Sequence, residues 1–179
     1  VERTGDMALI DDLWPALTRA VHWIDQYGDS DGDGLIDYKR GKDSGLANQG
    51  WKDSEDSVFH ADGRFPHGPI ALVEVQGYAF AAYRSMARLA HQRGDQDNAA
   101  RWAARAEQIR AAVERRFWMP DKDFYGIAID GAGELCRVMT SNPGHLLFSG
   151  LPAPDRARKV ADRLMSTAFD SSWGLRTLA

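Results

Sequence analysis

Residues 45–63 read GLANQGWKDSEDSVFHADG, and the rest of the chain is arranged around this stretch. Glycines and small polar residues interrupt any helical or strand period, which predicts a loop that presents side chains. Two carboxylates, Asp53 and Asp56, closely follow Trp51. An indole face can stack on the apolar face of a pyranose while an acid protonates the oxygens at its edge. The pattern indicates a sugar site, with a solvated acidic loop around one half-buried tryptophan as the alternative.

The composition limits the classes of partner. A chain of 179 residues suits one domain and can bury a sizeable core. With 26 acidic against 22 basic residues, the net charge of -4 argues against a nucleic-acid or anionic-membrane surface. The single Cys136 excludes an internal disulfide and a multi-cysteine zinc site, and it is compatible with a reducing cytoplasm. We therefore predict a cytoplasmic protein that binds neither nucleic acid nor membrane.

Periodicity predicts a mostly helical chain. Apolar residues recur at spacings of three and four, and turn or capping residues separate the repeats, which predicts helices over about residues 7–27, 69–93, 99–117, 145–148 and 154–166. Pro15 either starts a new helix within the first of these ranges or kinks it, so we predict about six helices. Alternation around the Asp130–Gly133 turn predicts a short β-hairpin over Phe124–Val138. Long irregular loops rich in Trp, Asp, His and Asn join some of the helices, and short turns join the others. This alternation predicts an all-α fold, part of an α/α toroid with a small β-hairpin insertion, whose loops line the active site.

An acidic turn follows the first helix. Asp29, Asp31 and Asp33 occupy the first, third and fifth positions of a calcium-loop pattern, followed by a glycine. The twelfth position should be a bidentate glutamate but is Arg40. Asp and Gly in alternation also form tight turns. We favour a turn without metal, and calcium binding is the weaker alternative.

Further candidate site residues lie near helix starts and in the last segment. Glu74 and Gln76 could point from a helix start towards a ligand, although a first-turn glutamate also simply suits the helix dipole. His145 follows an Asn-Pro-Gly run, so a ligand role and a capping role are equally supported. Trp173 and Arg176 lie in a polar, glycine-containing stretch and are stronger candidates.

Four runs together resemble bacterial amylo-α-1,6-glucosidases and glycogen-debranching-type proteins. They are GLANQGWKDSEDS from residue 45, GPIALVEVQGY from residue 68, TSNPGHLL from residue 140 and SWGLRTL from residue 172. The chain is also similar to trehalases and processing α-glucosidases. The resemblance covers nearly all of the chain, and it is specific because the motifs occur together.

The resemblance implies an (α/α)6 barrel that hydrolyses an α-glucosidic bond of a glucan or oligosaccharide with inversion. It places the general acid at Asp53, with Asp56 and Lys52 as neighbours that shape its pKa. Glu74 corresponds to a sugar-binding position. Two carboxyls roughly 6.5–9.5 Å apart, one acid and one base, are what inversion requires.

The family's glutamate base follows the GLRTL run, so the resemblance places it after residue 179. The sequence predicts about six long helices where the barrel uses twelve. We therefore expect an incomplete toroid domain over residues 1–179, about half a barrel, that is a poor catalyst by itself and can self-associate through its exposed edge. The alternative from another class is a carbohydrate-binding or assembly module that does not catalyse.

Overall fold

A computed structural model describes residues 1, 3–41, 45–52 and 54–179 of the protein. Its five helices are α1 (Ala8–Tyr27), α2 (Val73–Gln92), α3 (Gln96–Arg116), α4 (Gly144–Ser149) and α5 (Pro154–Leu164). Its strands are β1 (Ala71–Leu72), β2 (Trp118–Met119), β3 (Phe124–Tyr125), β4 (Ala128–Ile129) and β5 (Leu135–Cys136).

Helices α2 and α3 form the centre of the fold. Only residues 93–95 connect them, so they pack as an antiparallel pair. Asp95 caps α3 by accepting a hydrogen bond from the backbone N–H of Asn98 at 3.1 Å, which confirms one of the two predicted caps. The main core contains fully buried side chains of both helices together with aromatic residues of the strands, among them Phe80, Tyr83, Ile109, Phe117, Phe124 and Tyr125.

Two small antiparallel sheets lie beside the helices. Strands β4 and β5 pair across the Asp130–Gly133 turn, which confirms the predicted hairpin. Strand β1 adds to this hairpin, giving the order β1-β4-β5, and β2 pairs with β3 in a second sheet. A second apolar cluster packs on the three-stranded sheet and includes Val58, Leu72, Ile127 and Cys136.

The structure corrects three of the predictions. The described residues contain five helices rather than about six, and two sheets mean that the description all-α is too simple. Helix α2 begins at Val73 and not at Pro69, because Ala71 and Leu72 pair with Ile129 and Ala128. No helix among the described residues has the length and hydropathy to cross a bilayer.

Candidate active site

The loop at residues 45–63 is held in place by a buried amide. The side chain of Asn48 is buried, and its Nδ2 donates to the carbonyl oxygen of Lys52 at 2.5 Å and to the hydroxyl of Ser57. The hydroxyl of Tyr38 donates to Oδ1 of Asn48 at 2.5 Å. Both polar atoms of this amide side chain therefore form hydrogen bonds that hold the loop in place. Sequence reasoning did not single out Asn48, because its partners become neighbours only in the folded loop.

Three aromatic rings meet at one end of the helices. The indole of Trp51 is 58% exposed, and its ring centroid lies 5.1 Å from that of His145. The hydroxyl of Tyr78 lies 2.8 Å from Nδ1 of His145, and these two rings meet edge to face. Trp51 and His145 line an open cavity of about 520 Å³ with apolar side chains of α4 and α5. The arrangement offers an aromatic platform with polar edges, which suits a sugar ring.

Tyr78 was missed as a site residue. Its position in the apolar repeat of α2 predicted a core side chain, yet it is 41% exposed beside His145. Its neighbours Gly77 and Ala79 are buried, so only the contact with α4 identifies it. His145 itself contacts both Trp51 and Tyr78.

A buried carboxylate lies beneath this platform. Glu74 is 0% exposed, and its Oε1 accepts hydrogen bonds from the backbone N–H of Trp51 at 3.3 Å and from Nδ2 of Asn142 at 2.9 Å. Among the described residues, its Oε2 has no hydrogen-bond partner, and neither does Oδ1 of the buried Asn142. Burial is the main cause that raises the pKa of Glu74, against hydrogen bonds that lower it. Unpaired buried polar atoms are costly, so these two oxygens are candidate ligand contacts, although neither residue is among those that line the cavity.

Gly50 allows the loop to approach this carboxylate. A Cβ atom at position 50 would lie 2.2 Å from Cδ1 of Leu72 and 3.0 Å from Oε1 of Glu74. Only a residue without a side chain fits here, and its closeness brings the N–H of Trp51 to Glu74. The glycine therefore couples the loop to the first turn of α2.

Lys52 faces the last segment of the chain. Its Nζ donates to the carbonyl oxygen of Thr177 at 2.6 Å. Partial burial lowers the pKa of Lys52, and the carboxylate of Glu74 opposes this effect. Lys52 and the exposed Asp56 line a second cavity of about 490 Å³ on the other side of Trp51. Trp51 therefore lines both cavities.

Two of the predicted site residues, Asp53 and Gln76, are not seen at the cavities. Asp53, the predicted acid, lies outside the described residues. Gln76 does not face the cleft: its buried amide accepts from the N–H of Ile36 at 2.8 Å and donates to the carbonyl oxygens of Ile36 and Leu72 at 2.6 and 3.0 Å. Its hydrogen bonds join α2 to the acidic turn, which corrects the prediction of a ligand contact.

The last predicted pair also lies away from the cleft. Trp173 is 99% exposed and packs on no aromatic ring in the described part of the chain. The guanidinium of Arg176 donates to the carbonyl oxygens of Thr167 and Asp170 at 2.9 and 3.1 Å. Arg176 therefore closes the turn after α5, while its neighbour Leu175 lines the cleft.

The acidic turn has internal partners. Asp29 accepts hydrogen bonds from the N–H groups of Gly32 and Gly34 at 2.8 and 2.9 Å. Asp33 pairs with Arg116 at 2.7 Å, so its outer oxygen is already engaged. The carboxylates that lie near one another are those of Asp29, Asp31 and Asp37, a different set from the predicted one. These contacts build a tight turn, and calcium binding stays a prediction.

Two solved structures have a fold like that of nearly the whole of this chain. A sialidase superposes with a TM-score of 0.75 and 16% identity, covering 97% of this chain and 15% of that chain. A GH78 family rhamnosidase of Bacillus sp. GL1 superposes with a TM-score of 0.66 and 20% identity, covering 92% of this chain and 16% of that chain. The likeness to these two proteins shows the fold of the chain, a helix-rich fold with small antiparallel sheets.

The family follows from the whole sequence. The model of the mannosylglycerate hydrolase MGH1-like glycoside hydrolase domain matches residues 1–179, and the chain belongs to this family. No curated protein has a significant sequence match to the chain. The chain spans about one sixth of the length of the solved structures that it resembles. The expectation of a glycoside hydrolase is confirmed at the level of the class.

Proposed function

We propose that this chain supplies the general-acid side of an inverting glycosidase that cleaves the α-glycosidic bond of a short glycoside. Asp53 protonates the departing oxygen, Trp51 stacks on the sugar ring, and Glu74 with Asn142 binds its hydroxyl groups. The catalytic base is a carboxylate outside the residues assigned here. An inverting mechanism needs that base on the opposite face of the sugar, with room for a water molecule between.

The observation that carries the proposal is the unpaired Oε2 of Glu74 under an exposed indole. A buried carboxyl with one oxygen hydrogen-bonded and one free can accept from, or donate to, a sugar hydroxyl. Asn142 adds a free Oδ1 beside it, so the two side chains offer complementary groups to adjacent hydroxyls. Trp51 lines both cavities and supplies the apolar contact to the sugar ring.

Two observations bear on the class of substrate. The family description names mannosylglycerate hydrolase, which favours a small α-glycoside of a short acid. The sequence motifs resemble debranching enzymes and favour α-1,6-linked glucose. Lys52, half-buried next to the cleft, is the cation that would select a substrate carrying a carboxylate. We therefore place mannosylglycerate and α-1,6-glucosides at the head of a substrate panel that also includes trehalose.

The test uses the full-length gene product and two matched substitutions. Asp53→Asn removes the proton donor and keeps the size of the side chain, whereas Asp56→Asn makes the same change three residues further along the loop. Loss of general acid catalysis lowers kcat by about 10²–10⁴-fold, so we expect this loss for Asp53→Asn only. Product configuration read by NMR at early times distinguishes inversion from retention.

Equal rates for the wild type and Asp53→Asn would reject the acid assignment. Binding of oligosaccharides in calorimetry without hydrolysis of any member of the panel would favour the other reading, a carbohydrate-binding module. That module would use the same platform, so Trp51→Ala would weaken its binding while Asp53→Asn would not.

A further inference from the structure

A further cluster of titratable side chains lies where the long loop meets the three-stranded sheet. It consists of His60, Asp130 and Glu134, and one ligand atom from each lies within 4.8 Å of the others. The thiol of Cys136 lies 3.7 Å from Nε2 of His60. The proposed glycosidase chemistry uses none of these four residues.

The side chains come from two separate parts of the chain. His60 belongs to the long loop, and its backbone N–H donates to the carbonyl oxygen of Arg64 at 2.8 Å, which closes a tight turn. Asp130 and Glu134 flank the turn between β4 and β5, and Cys136 lies on β5. The long loop and the sheet therefore each contribute ligand-type atoms to one small volume.

The geometry matches a metal site better than an isolated ion pair. Nε2 of His60 is 3.1 Å from Oδ2 of Asp130 and 3.7 Å from Sγ of Cys136. A tetrahedral zinc ion with bonds of about 2.0–2.3 Å holds its ligand atoms about 3.3–3.6 Å apart. Because both neighbours face the same ring nitrogen, one N–H proton cannot serve both of them, whereas one ion can.

Burial and charge support the same conclusion. His60 is 3% exposed, Asp130 is 9% exposed and Cys136 is fully buried. One imidazole thus shares its surroundings with two carboxylates and a thiol, while Arg64, which bonds Glu134 at 3.3 Å, is a surface residue. Of the two carboxylates only that of Asp130 is buried, and a buried carboxylate is stabilised by a bound divalent ion.

We propose that His60, Asp130, Glu134 and Cys136 form a structural zinc site. Imidazole, carboxylate and thiolate are zinc ligands, and four protein ligands make the closed shell typical of structural sites. Binding releases the thiol proton to solvent as Sγ becomes a thiolate. The side chain of Glu134 is half-exposed, so it can turn from Arg64 towards the ion. The ion would fasten the loop that carries Trp51 to the three-stranded sheet.

The test uses the full-length gene product after removal of metal by a chelator and dialysis. Titration with Zn²⁺ should reach one ion per chain, release protons and, at a hundredfold excess over Kd, raise Tm by about 5–10 °C. Replacement by Co²⁺ should give a thiolate-to-metal charge-transfer band. His67, an exposed histidine a few residues further along, provides the control variant His67→Gln, which should bind as the wild type does.

Three variants decide the outcome. Cys136→Ser should remove the charge-transfer band, and Asp130→Asn should lower zinc affinity at least tenfold. If the buried variants fail to fold, Glu134→Gln at the surface still removes one ligand and should weaken binding. Absence of stoichiometric zinc, affinity unchanged in Glu134→Gln, or a cobalt complex without the thiolate band would each overturn the proposal. None of these results depends on glycosidase activity.

Discussion

Substitution of Gly50 by alanine should separate the loop from the buried carboxylate. The added Cβ would lie 2.2 Å from Cδ1 of Leu72, whereas apolar carbons are in favourable contact at about 3.5–4.0 Å. Leu72 is only 1% exposed and packs in the cluster with Val58 and Ile127, so it cannot simply turn away. The loop must move instead, by more than an ångström.

The magnitude follows from three contributions. Overpacking of this kind costs about 1–3 kcal/mol. Loss of the hydrogen bond from the N–H of Trp51 to Glu74 adds about 0.5–1.5 kcal/mol. The less flexible unfolded chain offsets about 0.4–1 kcal/mol. We expect a net destabilisation of about 2 kcal/mol, which lowers Tm by about 4–8 °C in a domain of this size.

Thermal unfolding followed by circular dichroism measures this change. Gly41→Ala is the matched control, because a Cβ there meets no atom of the described residues within 4 Å and position 41 has no positive φ. That variant should keep or slightly raise Tm. Calorimetric titration with the preferred glycoside should show weaker binding by Gly50→Ala. An unchanged Tm and unchanged affinity would refute the close packing of Gly50 on Leu72 and Glu74.

The remaining predictions concern charge, stacking and the junction of α3 with α5. Burial raises the pKa of Glu74, so the folded state holds this proton more tightly than the unfolded chain does. Stability therefore falls as pH rises through the pKa of the folded state. In thermal scans between about pH 4 and 9, Glu74→Gln should reduce this dependence of Tm on pH. Trp51→Ala should weaken oligosaccharide binding up to about tenfold in calorimetry, whereas Trp173→Ala should not; equal losses would contradict the platform. Glu114 accepts from the hydroxyl of Tyr125 at 3.0 Å and from a backbone N–H before α5, so Glu114→Ala should lower the free energy of unfolding in urea by about 2–4 kcal/mol. An unchanged urea midpoint would show that this junction does not stabilise the fold.

Elements with local signals were predictable from the sequence. Asp95 caps α3 because its carboxylate reaches an N–H three residues along the chain, and this spacing is visible in the sequence. The turn at Asp130–Gly133 closes β4 onto β5 because Asp130 binds the N–H groups of Ala132 and Glu134. In both cases the partners are separated by only a few residues.

Features that depend on distant partners could not be predicted. The start of α2 was placed too early because the pairing of Ala71 with Ile129 crosses 58 residues of chain. Gln76 resembled a ligand contact, but its partner Ile36 lies 40 residues away. Asn142 was not singled out from the sequence, because its bond to Glu74 forms only when α4 packs on α2.

The three-stranded sheet contains the hairpin that was predicted as an insertion, and it determines the direction of the Glu74 side chain. Glu74 follows β1 by two residues, and the register of Leu72 on Ala128 fixes the rotation at which α2 begins. A slip of one residue would turn the first helical residues by about 100° and would carry Glu74 away from the N–H of Trp51. Asp130 and Glu134 lie at the two ends of the turn that joins β4 to β5, and Cys136 lies on β5. A zinc ion bound there would stabilise the register on which the geometry of the cleft depends, although it would lie outside the cleft.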